Sequence, residues 1–167
     1  FVYAMDIYSA YATFGQSFKK WSYQMGVRIE DVEVTADTNA VRAFTDNYTQ
    51  LYPSAFVTYK PNEKDQIQVS YSRRVDRPGL GQVNPIREFA TPLISAFGNP
   101  NLVPQFTSSY EANYTKRLKN GSVTAGVFYR SIADEINRAL YVDRLDLNKT
   151  ILTFDNFDKT SAYGVEV

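Results

Sequence analysis

The chain has 167 residues, 44% of them hydrophobic, and its 18 basic residues are balanced by 18 acidic ones. That length fits one domain of ordinary size. Zero net charge removes both the electrostatic footprint of a nucleic-acid binder and a polybasic membrane-surface segment. Cysteine and histidine are absent, which excludes disulfides, the common zinc sites, and Ser-His-Asp or Cys-His catalysis.

Taken in chain order, the segments alternate apolar and polar residues with a period of two, the signature of half-buried strands. Phe1 to Phe14 is the least clean of them, because Tyr8, Ala10, Ala12 and Phe14 compete with Met5, Ile7 and Tyr11 for one face. Tyr23, Met25, Val27 and Ile29 then oppose Gln24, Gly26, Arg28 and Glu30. Leu51, Ala55, Val57 and Tyr59 carry one face of the next strand. Ile67, Val69 and Tyr71 oppose Gln66, Gln68, Ser70 and Ser72. Tyr110, Ala112 and Tyr114 oppose Ser109, Glu111, Asn113 and Thr115. Val123, Ala125, Val127 and Tyr129 alternate with Ser122, Thr124, Gly126, Phe128 and Arg130. Asp134 to Leu140 reads as a strand continuing outward, and Pro92 to Pro104 holds too many Pro and Gly residues for regular structure. The sequence gives about seven strand segments. No apolar run approaches the ~18 residues of a membrane helix, so any membrane span must be β.

The connections alternate in length. Gly15–Lys20, Pro61–Asp65 and Arg117–Ser122 are short and polar, and the last contains Asn120-Gly121, a strong hairpin signal. The intervening stretches, Ala36–Gln50, Asp76–Gln105 and Asp134 to about Asp158, are long. Tight turns at one end and long loops at the other match an outer-membrane barrel, with its periplasmic turns and extracellular loops. Tyrosines sit near the ends of the apolar faces, as aromatic girdles do, while Arg28, Glu30, Glu111 and Arg130 face a watery or plugged lumen. The fold class expected is all-β: an antiparallel meander forming part of a transmembrane β-barrel. A soluble β-sandwich with one wet face per sheet gives the same alternation and stays open at this point.

Certain words in the middle of the chain carry a resemblance. Tyr71-Ser72-Arg73-Arg74-Val75-Asp76-Arg77-Pro78 is followed by Val83-Asn84-Pro85, and then by Phe97-Gly98-Asn99-Pro100-Asn101-Leu102-Val103-Pro104-Gln105. Met25 to Glu30, Val127 to Arg130 with Asp134 to Ile136, and Ala162 to Glu166 flank them in matching order. This resembles the barrel of TonB-dependent receptors, in the outer-membrane β-barrel family common in Bacteroidetes. Gln105 stands where that family usually has Glu. Pro78, Pro85, Pro100 and Pro104 remove backbone donors and stiffen the path, so the Gly-Asn-Pro words are expected to be architecture rather than ligand contacts.

The resemblance implies a parent protein that captures a scarce nutrient, such as a siderophore or glycan, at its extracellular loops. It would import that nutrient through a plugged barrel of about 22 strands, using energy from the TonB complex. The expected partners are that complex, reached through a plug domain absent from this chain, then outer-membrane lipid and the nutrient itself, with a surface lipoprotein as a possible companion. Residues 1–167 read as one segment of such a barrel, with both ends falling inside strand patterns. No cofactor, metal site or catalytic constellation is expected, and the protein reads as a non-enzyme. Lack of histidine disfavours His-mediated haem capture in these loops. Candidate ligand contacts are Arg73, Arg74, Asp76 and Arg77 at a strand exit, Arg87 and Glu88 in the Pro-rich loop, and Tyr141, Asp143 and Arg144 in the last loop; loop charges of this kind also pair with one another. Tyr48 and Tyr52 could stack on a ligand or serve as packing. Two other classes remain: a passive porin-like or structural barrel, and a soluble β-rich binding module.

Overall fold

In the computed structural model, residues 2–38, 41–144 and 146–167 are described, with side chains omitted at 38, 41–44 and 90. The elements are β1 (Val2–Ser17), β2 (Trp21–Thr38), β3 (Val41–Tyr59), β4 (Asp65–Asp76), a single helical turn α1 (Leu80–Val83), β5 (Glu88–Thr91), β6 (Ile94–Ala96), β7 (Gln105–Leu118), β8 (Gly121–Val142) and β9 (Thr150–Glu166). The seven long strands form an antiparallel meander, β1-β2-β3-β4-β7-β8-β9. The short β6 and β5 continue the sheet beyond β9, with β6 parallel to it.

Register places the alternating residues on two continuous faces. Phe14, Met25, Ala55, Tyr71, Tyr110, Tyr129 and Tyr163 fall on one cross-strand row. Ala12, Val27 and Pro53 lie beside it on β1 to β3, and Val69, Ala112, Val127 and Val165 on β4 to β9. These side chains are largely exposed: Met25 at 55%, Val69 at 53% and Val127 at 53%. An apolar face open to this degree on every strand is a surface made for lipid, and it removes the soluble sandwich, whose apolar faces would cover each other. On β2 the apolar positions run from Trp21 to Ile29, about 26 Å of strand at ~3.3 Å per residue and about 20 Å of depth at a tilt of ~40°. Aromatics bound the band. Trp21 stacks on Tyr59 at 4.3 Å beside the short turns, and Tyr71, Tyr110 and Tyr129 form a chain with centroid spacings of 4.9 and 6.2 Å farther up. The opposite face carries Gln, Ser, Thr, Asn, Arg28, Glu30, Glu111 and Arg130.

The three short turns fall where expected. Two of the long connections do not. Ala36–Gln50 was expected as a loop, yet β2 runs to Thr38 and β3 begins at Val41 in register with it, shifted only between Ala36 and Asp37; residues 39 and 40 lie outside the described set. Backbone pairing carries this hairpin well beyond the apolar band, because a ladder needs no alternation once lipid is left behind. Likewise β8 and β9 pair from Gly126↔Glu166 to Val142↔Thr150, leaving only 143–149 as a connection. Asp134 to Leu140 is strand, as expected, with Asp134 at φ 55°, a region Asp tolerates better than most residues. The stretch from Pro92 to Pro104 is less irregular than expected, since Ile94–Ala96 forms β6 by pairing with Thr150–Leu152.

Burial is concentrated above the band. Val32, Val34 and Ala36 on upper β2, Tyr52 on β3, Val83 and Leu102 in the loop between β4 and β7, and Ala139 on β8 make up the buried apolar set among the described residues. The molecule therefore has a lipid-facing wall and, at the loop end, a small packed cap.

Candidate functional site

The cap is built from the long connection between β4 and β7, which is fastened at both ends. At its start, Pro78 ends the strand pattern and Arg77 turns onto the inner face of β2 and β3. Its guanidinium binds the buried Glu30 carboxylate through Nη2. Its Nε donates to Tyr48 Oη at 3.0 Å and its Nη2 to Tyr52 Oη at 3.5 Å. Arg28 completes the group: its Nε lies 3.1 Å from Glu30 and its guanidinium 5.2 Å from the Tyr52 ring centroid. Burial works against the charge on Arg77, but hydrogen bonds to Glu30 and Tyr48 more than offset it, so the group holds its proton above the ordinary arginine range.

At its far end the connection is held by side-chain amides. Asn99 Nδ2 donates to the Phe154 carbonyl at 3.2 Å, and its Oδ1 accepts from Asn101 N–H at 3.0 Å. Asn156 Oδ1 accepts from Val103 N–H at 2.9 Å, and its Nδ2 donates to the carbonyls of Val103 at 3.0 Å and Asp134 at 2.8 Å. Gln105 Oε1 accepts from Ile136 N–H at 2.9 Å, a role a Glu would fill equally. Between the clamps, Gly98 N–H donates to Asn84 O and Asn99 N–H to Gln82 O, both at 2.7 Å. A Cβ on Gly98 would sit 2.5 Å from Gln82 O and 2.6 Å from Asn84 N, so only glycine allows the two backbones to meet. The Asn-Pro and Gly-Asn-Pro words are thus architecture, as expected.

Two cavities open within the cap. One, of about 350 Å³, lies between the β5–β6 hairpin and the β8–β9 connection, lined by Arg87, Phe89, Leu93, Asp143, Asp146 and Lys149 among others. The second, of about 300 Å³, lies between the helical turn and Arg138, Leu152 and Phe154. In the first, Arg87 Nη2 meets the buried Asp143 Oδ2 at 2.7 Å, and its guanidinium lies 5.6 and 5.8 Å from the Phe97 and Phe89 ring centroids. Lys149 Nζ pairs with Asp146 at 3.2 Å. The Asp146 carboxyl is held below its usual range by the Asn148 N–H and by Lys149.

The nine residues expected to contact ligand do not converge. Arg87 and Asp143 come together, but as an ion pair with each other. Arg77 is committed to the wall. Arg74 and Asp76 lie on the inner face of upper β4, opposite Thr107 and Gln105, exposed and without an ion-pair partner among the described residues. Glu88 and Arg144 are exposed at the cap, and Tyr141 donates to Asp155 Oδ2 at 2.6 Å. Arg73 belongs to β4 rather than a loop, and its register puts it on the outward face with Tyr71, its guanidinium 4.8 Å from the Phe106 ring centroid. Tyr48 and Tyr52, which the sequence offers as ligand-stacking or packing residues, hold Arg77 in the cap; Glu30 was expected only to face the lumen, and Asn156 was not singled out. The lumen-facing parity of Glu30 and Tyr52 was the one available signal; Asn156 offered none.

A wall of long antiparallel strands with an apolar outer face, aromatic borders, short turns at one end and a packed cap at the other defines a segment of a transmembrane β-barrel. The whole chain, residues 1–167, matches the outer membrane protein beta-barrel family; it belongs to that family, and its place is the bacterial outer membrane. None of the curated protein sequences matches it. Its fold is similar to that of solved receptors and transporters. A double mutant of the Serratia marcescens hemophore receptor HasR, in complex with its hemophore HasA and heme, superposes with TM-score 0.78 at 13% identity, over 96% of this chain and 31% of that one. The copper transporter OprC gives 0.73 at 8% identity, over 98% and 26%. The siderophore receptor PirA from Pseudomonas aeruginosa gives 0.61 at 14% identity, over 98% and 39%. The chain thus spans about a third of the length of the structures it matches, and the expected transmembrane barrel holds at the level of the fold.

Proposed function

We propose that this chain is the wall and part of the extracellular cap of an outer-membrane import receptor. The cap captures a nutrient, and the intact protein imports it with energy from the TonB complex. The observation that carries this reading is the connection from Arg77 to Pro104, fixed by an ion pair at one end and amide clamps at the other. A passive pore gains little from such rigid fastening, whereas a receptor needs a preorganised surface to bind a dilute ligand. The ligand would meet the cavity between Phe89, Arg87, Asp143 and Lys149, with Glu88, Tyr141 and Arg144 at its approaches. Arg74 and Asp76 face the path inward. TonB would act through a plug domain, and a surface lipoprotein could close over the cap. The solved structures of similar fold include a siderophore receptor and a hemophore receptor, which favours import over passive diffusion.

The test is uptake by cells expressing the intact protein, offered haem, a ferric catecholate and a maltooligosaccharide in turn. Import of one probe that disappears on deletion of TonB supports the proposal. Entry of small solutes at equal rates with and without TonB would assign the protein to the porin class instead.

A further inference from the structure

We propose that the short-turn end of the wall carries a docking site for an acidic segment of polypeptide, on the lumen side of the periplasmic mouth. The zero net charge of the chain conceals a cationic rim. The three short turns, 15–20, 60–65 and 116–122, hold seven of the 18 basic residues, and of the 18 acidic ones only Glu63 and Asp65.

Strand parity sorts these cations. Lys20 and Lys60 stand one step below the Trp21–Tyr59 pair, where the Lys60 N–H donates to the Lys20 carbonyl at 2.7 Å. Lys64 and Arg117 stand one step below the Asp65–Lys116 pair, where the Arg117 N–H donates to the Lys64 carbonyl, also at 2.7 Å. The alternation carries all four to the face of Arg28, Gln66 and Thr115, away from lipid. Asp65 falls on the other face, where it accepts from Tyr114 Oη at 2.5 Å and Asn62 Nδ2 at 2.8 Å. It therefore does not neutralise the row, and none of the four cations forms an ion pair among the described residues. Asn62 Oδ1 accepts from the N–H groups of Lys64 and Asp65 at 2.8 and 2.9 Å, which fixes the turn that presents Lys64.

The shape of the row selects its occupant. Four cations strung from β2 to β7, over about 14 Å at ~4.8 Å per strand, do not converge as a small anion requires. They suit a line of carboxylates, such as an extended peptide carries on one face every ~6.6 Å. Lys60, Lys64 and Arg117 share a recess of about 370 Å³ with Gln66 and Thr115. There the Arg117 fork can grip one carboxylate, and the amide and hydroxyl can bond the peptide backbone. A flexible chain reaches this inner row, whereas a stiff polymer lying beneath the membrane meets only the turn tips, at Lys19 and Lys119. The surface lies at the opposite end from the cap and does not depend on which nutrient the cap holds.

The experiment uses the intact barrel protein in phosphatidylcholine nanodiscs, with a fluorescein-labelled peptide of alternating glutamate and serine as the probe and fluorescence anisotropy as the readout. Wild type is expected to bind this peptide, more weakly at high salt. Lys60→Gln combined with Arg117→Gln should weaken binding about fivefold, the yield of two exposed ion pairs of ordinary strength. Lys19→Gln combined with Lys119→Gln, which removes the same charge from the turn tips, should leave it unchanged. Equal weakening by both double variants would reduce the effect to net charge and overturn the site, as would no binding by wild type. Loss of peptide binding when phosphatidylglycerol replaces phosphatidylcholine would assign the row to lipid headgroups instead. Tighter binding of an oligothymidylate of equal charge would assign it to phosphate, and either outcome overturns the proposal.

Discussion

The wall and the cap are held together by opposite means. The wall buries little of its own apolar surface: Val69, Val127 and Met25 stay more than half exposed, and cohesion comes from the backbone ladder with lipid as the covering solvent. The cap has the reverse balance. Its strands β5 and β6 are short, its backbone is irregular, and side chains do the fastening, with Glu30, Asn99, Gln105 and Asn156 each satisfying a group that no ladder reaches. The difference teaches that the barrel can tolerate changes in the cap without losing its wall, so binding specificity can vary on a fixed scaffold.

Substitutions should separate the two regions, and the largest effect is expected in the wall. Val127→Arg places a charge on the lipid-facing side near mid-band and should cost about 2–4 kcal/mol, the depth-dependent value for such positions. Urea titration of the intact barrel refolded in lipid measures it, and the same substitution at the inward Thr124 should cost far less. Gly98→Ala comes next. Its Cβ must displace the backbone at Gln82 and Asn84, at about 1–3 kcal/mol. Hydrogen exchange should then accelerate at 79–104 while β3, β4 and β7 keep their protection in the band.

Glu30→Gln should have a smaller effect, about 1–2 kcal/mol, because Arg77 keeps the two tyrosine hydroxyls and some access to water. Faster exchange at the start of the connection, without change near Asn99 and Asn156, would show that the two fastenings are independent. The smallest effect concerns pH. The Asp146 carboxyl is held below its ordinary range by the Asn148 N–H and Lys149, so its folded pKa lies under its unfolded one. Its contribution to the 143–149 turn is therefore present above the unfolded value and lost as pH falls through the folded one. The protection of the Asn148 amide, taken relative to its intrinsic exchange rate at each pH, should fall across that acidic window, and Asp146→Asn should abolish that fall.

The same contrast decides what the amino-acid sequence reveals. The band was legible because lipid and lumen impose a period of two, and Ile67 to Tyr71 or Val123 to Tyr129 show it directly. Above the band nothing enforces alternation, so the strands through Ala36 and Gln50 passed for loop. The cap was legible only as words. Asn84 and Gly98 stood out, but that they meet backbone to backbone is a contact across fourteen positions that no periodicity encodes. Arg73 and Arg74 were adjacent and so were grouped together; strand parity sends them to opposite faces, and a grouping by charge alone misses this.

The central claim is that the odd-numbered face of β4 meets lipid and the even-numbered face does not. The protein contains no cysteine, so single cysteines can be placed at 66 through 71 in turn, each labelled with a fluorophore in the intact barrel and exposed to brominated lipid. Quenching should alternate, strong at 67, 69 and 71 and weak at 66, 68 and 70. Quenching that is equal at all six positions, or strongest at the even ones, would contradict the membrane-spanning wall described here.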